Sequence, residues 1–289
     1  MGQWSCAVDI KLKKIGITGA NGFIGGNLLR YLSSKGYEVT GYTSNQNNER
    51  LNFLNLNDVT ELESKLQDID VLIHSAWTGS DRSSRNIMAI QEKNISMMKN
   101  LISAQKNTNI KKIIGIGSQE ELLDGEQPWP DNAKIVPSNE YGKAKLETFN
   151  TLSSNLANFT WVRLFSVYGR GDKRDWIITK AIKCINENHK AAFGQCSKPW
   201  SLTHIDDISS AFELIIKNDT CGVLNLSNLD APLLIDHLRL LESLAGKKLF
   251  TFRENNTPER ELSRSIGLID TIGWKPSLNR EKRFFELLA

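Results

Sequence analysis

The chain is poor in the residues that build small stapled or metal-dependent proteins, with four cysteines and four histidines in 289 residues. Cys6, Cys184, Cys196 and Cys221 are scattered, and none stands in a CxxC pair or beside a histidine at metal-ligand spacing. That excludes a disulfide framework or zinc ribbon and fits a reduced compartment, the cytoplasm. No apolar stretch approaches the ~20 residues that cross a bilayer. The opening MGQWSCAVDIKLKK has no secretory apolar core. Gly2 alone would suggest myristoylation, but Cys6 stands where that signal needs serine or threonine. Charge of one sign is scarce as well: Lys and Arg number 36 against 33 Asp and Glu, and no run of five like charges suggests a nucleic-acid arm.

What is present is an ordinary globular balance, 40% hydrophobic and 24% charged. A chain this long buries about three quarters of its unfolded surface and needs no metal or disulfide to fold. From Lys13 onward, β-rich apolar runs (KKIGIT, YEVTGY, DVLIHSA, KKIIGIG, FTWVRLF) alternate with helical-period segments. The helices are FIGGNLLRYLSS, closed by Gly36, then DVTELESKL, a long stretch from about Asn86 to Lys106, and YGKAKLETFNTLSSNL. This alternation predicts a doubly wound parallel α/β sheet over residues 13–168. After Tyr168 the pattern loosens through Gly169, Gly171 and DKRD. DWIITKAIKCINEN, DDISSAFELIIKN, GVLNLS and LLIDHLRLLESLAGK then read as a smaller mixed lobe, residues 169–289, with some segments returning to the sheet.

The first strand runs into TGANGFIGG, which sets Gly19, Gly22 and Gly25 at GxxGxxG spacing where a helix opens. A tight turn without Cβ atoms, exposed backbone amides and a helix N-terminus together suit a dinucleotide pyrophosphate. NAD sites usually end the second strand with a carboxylate for the ribose. Here that strand ends Tyr42-Thr43-Ser44-Asn45, with no carboxylate before Glu49. A 2′-phosphate is not repelled there, and Ser44, Asn45, Arg50 or Arg30 are its candidate donors, so NADP is expected over NAD.

Tyr141 and Lys145 form a YxxxK pair, and i and i+4 share a helix face. The ammonium beside the phenol, with an oxidised nicotinamide, is expected to draw the tyrosine below its usual ~10, into a range useful for proton transfer. By itself the pair describes many solvated helices. His204, Asp206 and Asp207 look like a catalytic cluster, but Asp206 precedes ISSAFELIIKN and reads as its N-cap. Trp129, between Pro128 and Pro130, reads either as a flap over a ligand or as a loop anchor.

Taken together, TGANGFIG, the strand ending His74-Ser75-Ala76, Asn94, Ser118 and YGKAK resemble the extended short-chain dehydrogenase/reductase family, the NAD-dependent epimerases and dehydratases. RLFSVYGRG, THIDDISSAF, GVLNLS and IGWKPSL carry the resemblance to the end of the chain. It implies a Rossmann-type fold with a smaller C-terminal substrate-binding lobe. It also implies Tyr141 as acid/base, Lys145 as its partner and ribose ligand, Ser118 as the hydroxyl on the substrate carbonyl, and Asn94 as the prop of a relay water. Phe23, Ile24, Thr43, Asn55, Leu56, Ala76 and Val167 fall at cofactor positions, and Trp77, Gln119, Glu120, Arg170 and Trp200 at substrate positions. The family's strand-end histidine matters for packing, so His74 is not expected to act as a base.

Glu120, two residues after the serine, is similar to dehydratases. Gly117-Ser118-Gln119 and Trp200 are similar to the 4-keto-6-deoxysugar reductases of the abequose and paratose synthase group, and Gln119 cannot donate a proton. The resemblance therefore favours NADPH-dependent reduction of a nucleotide-linked 4-keto sugar. An epimerase or dehydratase holding NAD tightly, and a non-catalytic NADP sensor, are the alternatives. Two departures stand out: Leu122-Leu123 replaces the epimerases' Tyr-Gly, and Trp200 displaces an arginine used on the substrate phosphate, leaving Lys198, Arg170, Lys173 or Arg174 to supply charge. Relatives pair the helices holding Asn94 and Tyr141 across a two-fold axis, and Ile87, Ile90, Met97 and Leu101 suggest the same homodimer.

Overall fold

A computed structural model describes residues 13–122, 128–254, 261–277 and 279–288. Gly2, Cys6, Leu123 and Leu278 lie outside the described residues. The first half alternates strand and helix: β1 (Lys14–Thr18), α1 (Phe23–Ser34), β2 (Glu38–Thr43), β3 (Asn52–Phe53), α2 (Val59–Lys65), β4 (Val71–His74), α3 (Met88–Gln105), β5 (Lys112–Ser118), α4 (Glu140–Asn155) and β6 (Phe159–Leu164). The second half is more mixed: β7 (Ser166–Tyr168), α5 (Ile177–Asn186), β8 (Ala191–Phe193), β9 (Leu202–His204), α6 (Ile205–Lys217), β10 (Gly222–Leu226), α7 (Leu234–Ala245), β11 (Phe250–Phe252), α8 (Leu268–Thr271) and α9 (Arg280–Leu288).

Seven strands form one parallel sheet in the order β10-β6-β5-β4-β1-β2-β3, a Rossmann-type doubly wound α/β fold. Its strands are apolar on both faces because helices cover both. Ile15, Ile17 and Ile73 pack with Leu28 of α1 and Phe212 of α6. Tyr42, Leu72 and Ile113 pack with Leu62 of α2 and Leu101 of α3 on the other side. Strand order reverses between β1 and β4, which opens a crevice at their carboxyl ends, where open α/β sheets bind ligands.

α6 and β10 lie with this sheet: β10 pairs with β6, and Ile208, Phe212 and Leu224 share the core of β1 and β4. Their apolar faces are completed by partners far away in sequence. A separate cluster, including Ile178, Phe193, Leu238 and Phe284, joins α5, β8, α7 and α9. β7 pairs with β9, and β8 with β11.

One expectation changes, and one open alternative is decided. The N-cap of α6 is His204, whose Nδ1 accepts from the Asp206 amide at 3.3 Å, so Asp206 is not the cap. The helix begins two residues earlier than a cap at Asp206 implies, and both acids sit in its first turn, where they favour the dipole. Burial holds His204 down to about 4, which keeps the cap neutral and able to accept. Trp129 is fully buried with Leu122, Phe165 and Leu262, so it anchors its loop rather than covering a ligand.

Candidate functional site

The crevice is a cavity of about 290 Å³. Gly19, Gly22, Thr43, Ser44, Asn55, Leu56, Ala76 and Trp77 line it, with Met97, expected at a dimer face, and residues the sequence did not single out, among them Asn21, Asn57 and Thr78. The three glycines serve different ends. Gly19 has φ of 67°, and a Cβ there would lie 2.7 Å from the Ala76 backbone, so β4 and the turn touch only because it is glycine. A Cβ on Gly25 would collide with the Gly19 carbonyl. At Gly22 a Cβ would meet nothing closer than the Gly19 carbonyl oxygen at 3.2 Å, which leaves a bare, exposed backbone at the start of α1. That cradle, at a helix N-terminus with no acid in its first turn, fits a pyrophosphate.

No Asp, Glu, Lys or Arg is among the residues lining the cavity. Asn45 and Arg50 are exposed and outside it, and Arg30 is engaged with Asn27 Oδ1 at 2.6 Å. Phe23 and Ile24 flank the first turn of α1 and pack on the core, and Val167 is a buried β7 residue. None of these three lines the cavity.

Ser118 ends β5 and caps the single helical turn 119–121: its Oγ accepts from the Glu120 amide at 3.2 Å, and its own amide donates to Glu121 Oε1 at 2.7 Å. Asn139 caps α4, accepting from the Gly142 amide at 2.8 Å. Its Nδ2 donates to Glu120 Oε2 at 2.7 Å. Any Cβ on Gly142 would collide with the Glu120 carbonyl, so α4 docks flush on the turn and brings Tyr141 towards the Ser118 hydroxyl. Tyr141 keeps some solvent contact but is densely surrounded, and burial pushes its phenol up to about 12, while the nearby Ser118 hydroxyl acts to lower it.

Lys145 lies one turn further along α4, nearly inaccessible, its Nζ donating to the Ile116 carbonyl at 2.7 Å. The same nitrogen sits 3.4 Å from the centroid of the Trp77 ring and 5.6 Å from that of Tyr141. Burial lowers this lysine to about 7, while Glu121 acts to raise it. The sequence expectation that Lys145 pulls the phenol below its ordinary value does not hold in the protein without cofactor. Desolvation outweighs the charges near both groups, and Tyr141 keeps its proton.

Beneath the turn, Glu121 and Arg163 form a buried ion pair at 3.0 Å, and Trp161 Nε1 donates to the same carboxylate. Neither was foreseen, because each reads alone as a surface residue. Arg85, also unforeseen, pairs with Glu120 at 3.3 Å and lies over the Tyr141 ring. Asn94 is fully buried and clamps the loop after β4: Oδ1 accepts from the Thr78 amide at 2.8 Å and Nδ2 donates to its carbonyl at 2.9 Å. His74, bonded to Thr18 Oγ1 at 2.8 Å, is held neutral by burial, down to about 3.

A second cavity, about 830 Å³, lies beside α5 and is lined by Arg82, Lys173, Arg174, Lys180 and Lys183, three acids and Phe193. Arg174 is already engaged: it pairs with Asp172 at 2.7 Å, donates to the Val167 carbonyl at 2.6 Å and covers Phe23. Arg170 lines an adjoining cavity of about 410 Å³ that shares Lys183. Trp200 donates to Ser166 Oγ at 3.0 Å and packs between the two C-terminal clusters, and Gln119 sits in the turn after Ser118. Among the described residues, no helix is long and apolar enough to cross a membrane.

A crevice at a parallel-sheet switch point, fronted by a serine, tyrosine and lysine, defines a dinucleotide-binding enzyme class. The chain belongs to the NAD dependent epimerase/dehydratase family, whose model matches residues 15–227. It is 28% identical over 272 residues to a Dictyostelium discoideum dTDP-D-glucose 4,6-dehydratase, covering 82% of this chain and 62% of that protein's length. It is 24% identical over 230 residues to the dTDP-6-deoxy-L-talose 4-dehydrogenase (NAD(+)) of Aggregatibacter actinomycetemcomitans, covering 72% of this chain and 82% of the relative. In fold it is similar to a UDP-N-acetylglucosamine 4-epimerase from Methanobrevibacter ruminantium M1, solved with UDP-N-acetylmuramic acid (TM-score 0.83, 22% identity, 96% of this chain and 97% of that one).

Proposed function

We propose that the chain reduces the 4-keto group of a nucleoside-diphosphate 4-keto-6-deoxyhexose with NADPH, in the cytoplasm, as a step of deoxysugar synthesis for surface polysaccharide. The observation that carries this reading is Tyr141 facing Ser118, with the Lys145 Nζ 5.6 Å from its ring centroid and Trp77 joining both to the switch-point cavity. The turn at Gly19 and Gly22 would hold the pyrophosphate, Thr43, Ser44 and Asn45 the adenosine ribose and its 2′-phosphate, and Lys145 the nicotinamide ribose. Bound there, the dinucleotide supplies the hydride.

The chain's own groups handle the oxygen and the proton. Ser118 donates a hydrogen bond to the carbonyl oxygen, and Tyr141 gives that oxygen its phenolic proton as negative charge develops. Lys145, when protonated, steadies the phenolate left behind. Gln119 is neutral, and Glu120 is held between Asn139 and Arg85, so the turn offers no free acid for elimination. The cations beside α5, chiefly Lys173, Lys180 and Lys183, suit a diphosphate. On this reading residues 13–168 form the cofactor domain and 169–289 mainly the substrate lobe.

A second reading, an epimerase or dehydratase with tightly held NAD, is favoured by the dehydratase among the sequence relatives and by Glu120 at its position after Ser118. Cofactor oxidation separates the two. Purified protein given a panel of nucleotide-linked 4-keto sugars should oxidise NADPH stoichiometrically, with kcat/KM at least about tenfold above NADH, ~1.4 kcal/mol. Purification with bound NAD and sugar turnover without net oxidation would establish the second reading.

A homodimer through α3 and α4 belongs to the same proposal. Its support narrows to Ile87, Met88 and Ile90, because Leu101 is buried in the chain's own core and Met97 lines the cofactor cavity. Light scattering at micromolar concentration that finds only monomer removes it.

A further inference from the structure

The loop between β4 and α3 does more than border the cofactor cavity, because it wraps Tyr141 on two sides. Trp77 meets the phenol ring edge-on at 5.7 Å, and the Arg85 guanidinium carbon lies 5.2 Å from the ring centroid. The loop is held there from α3, by Asn94 on Thr78 and by Gln91, which donates to the Gly79 carbonyl at 2.7 Å and accepts from Trp77 Nε1 at 3.2 Å. Arg85 then reaches Glu120 at 3.3 Å, and the other oxygen of Glu120 takes the hydrogen bond from Asn139, the cap of the helix that carries Tyr141. The contacts close a ring from loop to turn to helix cap to phenol. Arg85 Nε is buried and makes no hydrogen bond, an expensive arrangement for a charged group unless its field is used nearby.

We propose that Arg85 is a positioning residue for Tyr141: paired with Glu120, it sets the proton affinity of the phenol and holds the β4–α3 loop over it. The proposal rests on the tyrosine-dependent reading of the site. The charged groups facing Tyr141 are Arg85 from the loop, Glu120 and Glu121 from the turn after β5, and Lys145 from its own helix; the neutral Ser118 hydroxyl also favours the phenolate. Arg85 favours the phenolate, and Glu120 and Glu121 oppose it. Glu121 is already neutralised by Arg163, so the balance turns on the Arg85–Glu120 pair.

Opposite removals therefore have opposite signs, which a merely structural role would not produce. The test is a titration of ¹³Cζ-tyrosine-labelled protein with bound NADP⁺, followed by NMR. The chain has five tyrosines, and Y141F assigns the resonance that matters. R85M should move the Tyr141 midpoint up and E120Q should move it down, each by about half a pH unit or more. R85K and the double variant R85M/E120Q should return it near wild type. The alkaline limb of kcat for carbonyl reduction should move in the same directions. Midpoints that stay fixed, or that move the same way in R85M and E120Q, overturn the proposal. If the midpoints move as expected while no 4-keto sugar is reduced, the proposed reaction fails and this assignment stands; if sugar is reduced with the midpoints fixed, only this assignment fails.

Discussion

The cavity at the ends of β1 and β4 is lined by glycine, hydroxyl, amide and apolar groups with no charged side chain among them, whereas the cavity beside α5 gathers five cations against three carboxylates. Both are candidate homes for phosphate-bearing molecules. The first offers backbone amides and a helix N-terminus, fixed by the turn itself; the second offers long side chains whose positions depend on what they meet. Backbone recognition tolerates no added atoms at a few points, while side-chain recognition tolerates substitution but feels the ionic strength. Trp77 joins Tyr141 and Lys145 to the neutral cavity.

The largest effect should come from the boundary. Replacing Tyr141 with Phe keeps the ring between Trp77 and Arg85 but deletes the proton donor, so turnover should fall by about 10² to 10⁴ with cofactor affinity nearly unchanged. K145A should weaken both, and S118A should lower turnover alone. Near-wild-type turnover in Y141F would show that the proton comes from elsewhere.

The neutral end can be divided more finely. Gly25→Ala places a methyl on the Gly19 carbonyl and should cost soluble, folded protein, judged by circular dichroism. Gly22→Ala meets only a 3.2 Å contact and should fold normally, yet lose about tenfold or more in cofactor affinity by calorimetry, because on the proposed reading a Cβ there keeps a pyrophosphate from the backbone. Equal cofactor affinity in Gly22→Ala would mean that the cradle is not used.

The smallest effect concerns the charged end. Raising salt from about 0.05 to 0.5 M should raise KM for the nucleotide sugar several-fold while changing the cofactor Kd less. K183M, which removes a cation shared by the two cavities beside α5, should flatten that dependence. A cofactor site as salt-sensitive as the sugar site would erase the contrast drawn here.

This contrast also marks what could be read along the chain. The five main strands and the glycine turn are local patterns: short β-rich apolar runs buried on both faces, then GxxGxxG at a helix start. Tyr141 and Lys145 are legible as a local i, i+4 pair, and Ser118 stands out through the family resemblance. β3 was hidden, since two residues at the end of the polar stretch SNQNNERLN carry no periodicity. Glu121 and Arg163 stand 42 residues apart and become a buried pair only when β6 lies beside β5. Arg85 reads as one arginine in a polar loop until α3 brings that loop over α4. The raised Tyr141 is hidden from the sequence for the same reason. Its surroundings, which remove more solvent than the charges repay, are assembled from four segments of the chain.

Hydride delivery to the sugar is the central claim, and isotope transfer tests it most directly. Incubated with NADPH carrying deuterium at the transferable position and a nucleotide-linked 4-keto-6-deoxyhexose, the protein should yield one NADP⁺ per product, with deuterium on carbon 4 of the sugar. Sugar converted without deuterium at that carbon, and with the NADPH untouched, would contradict it.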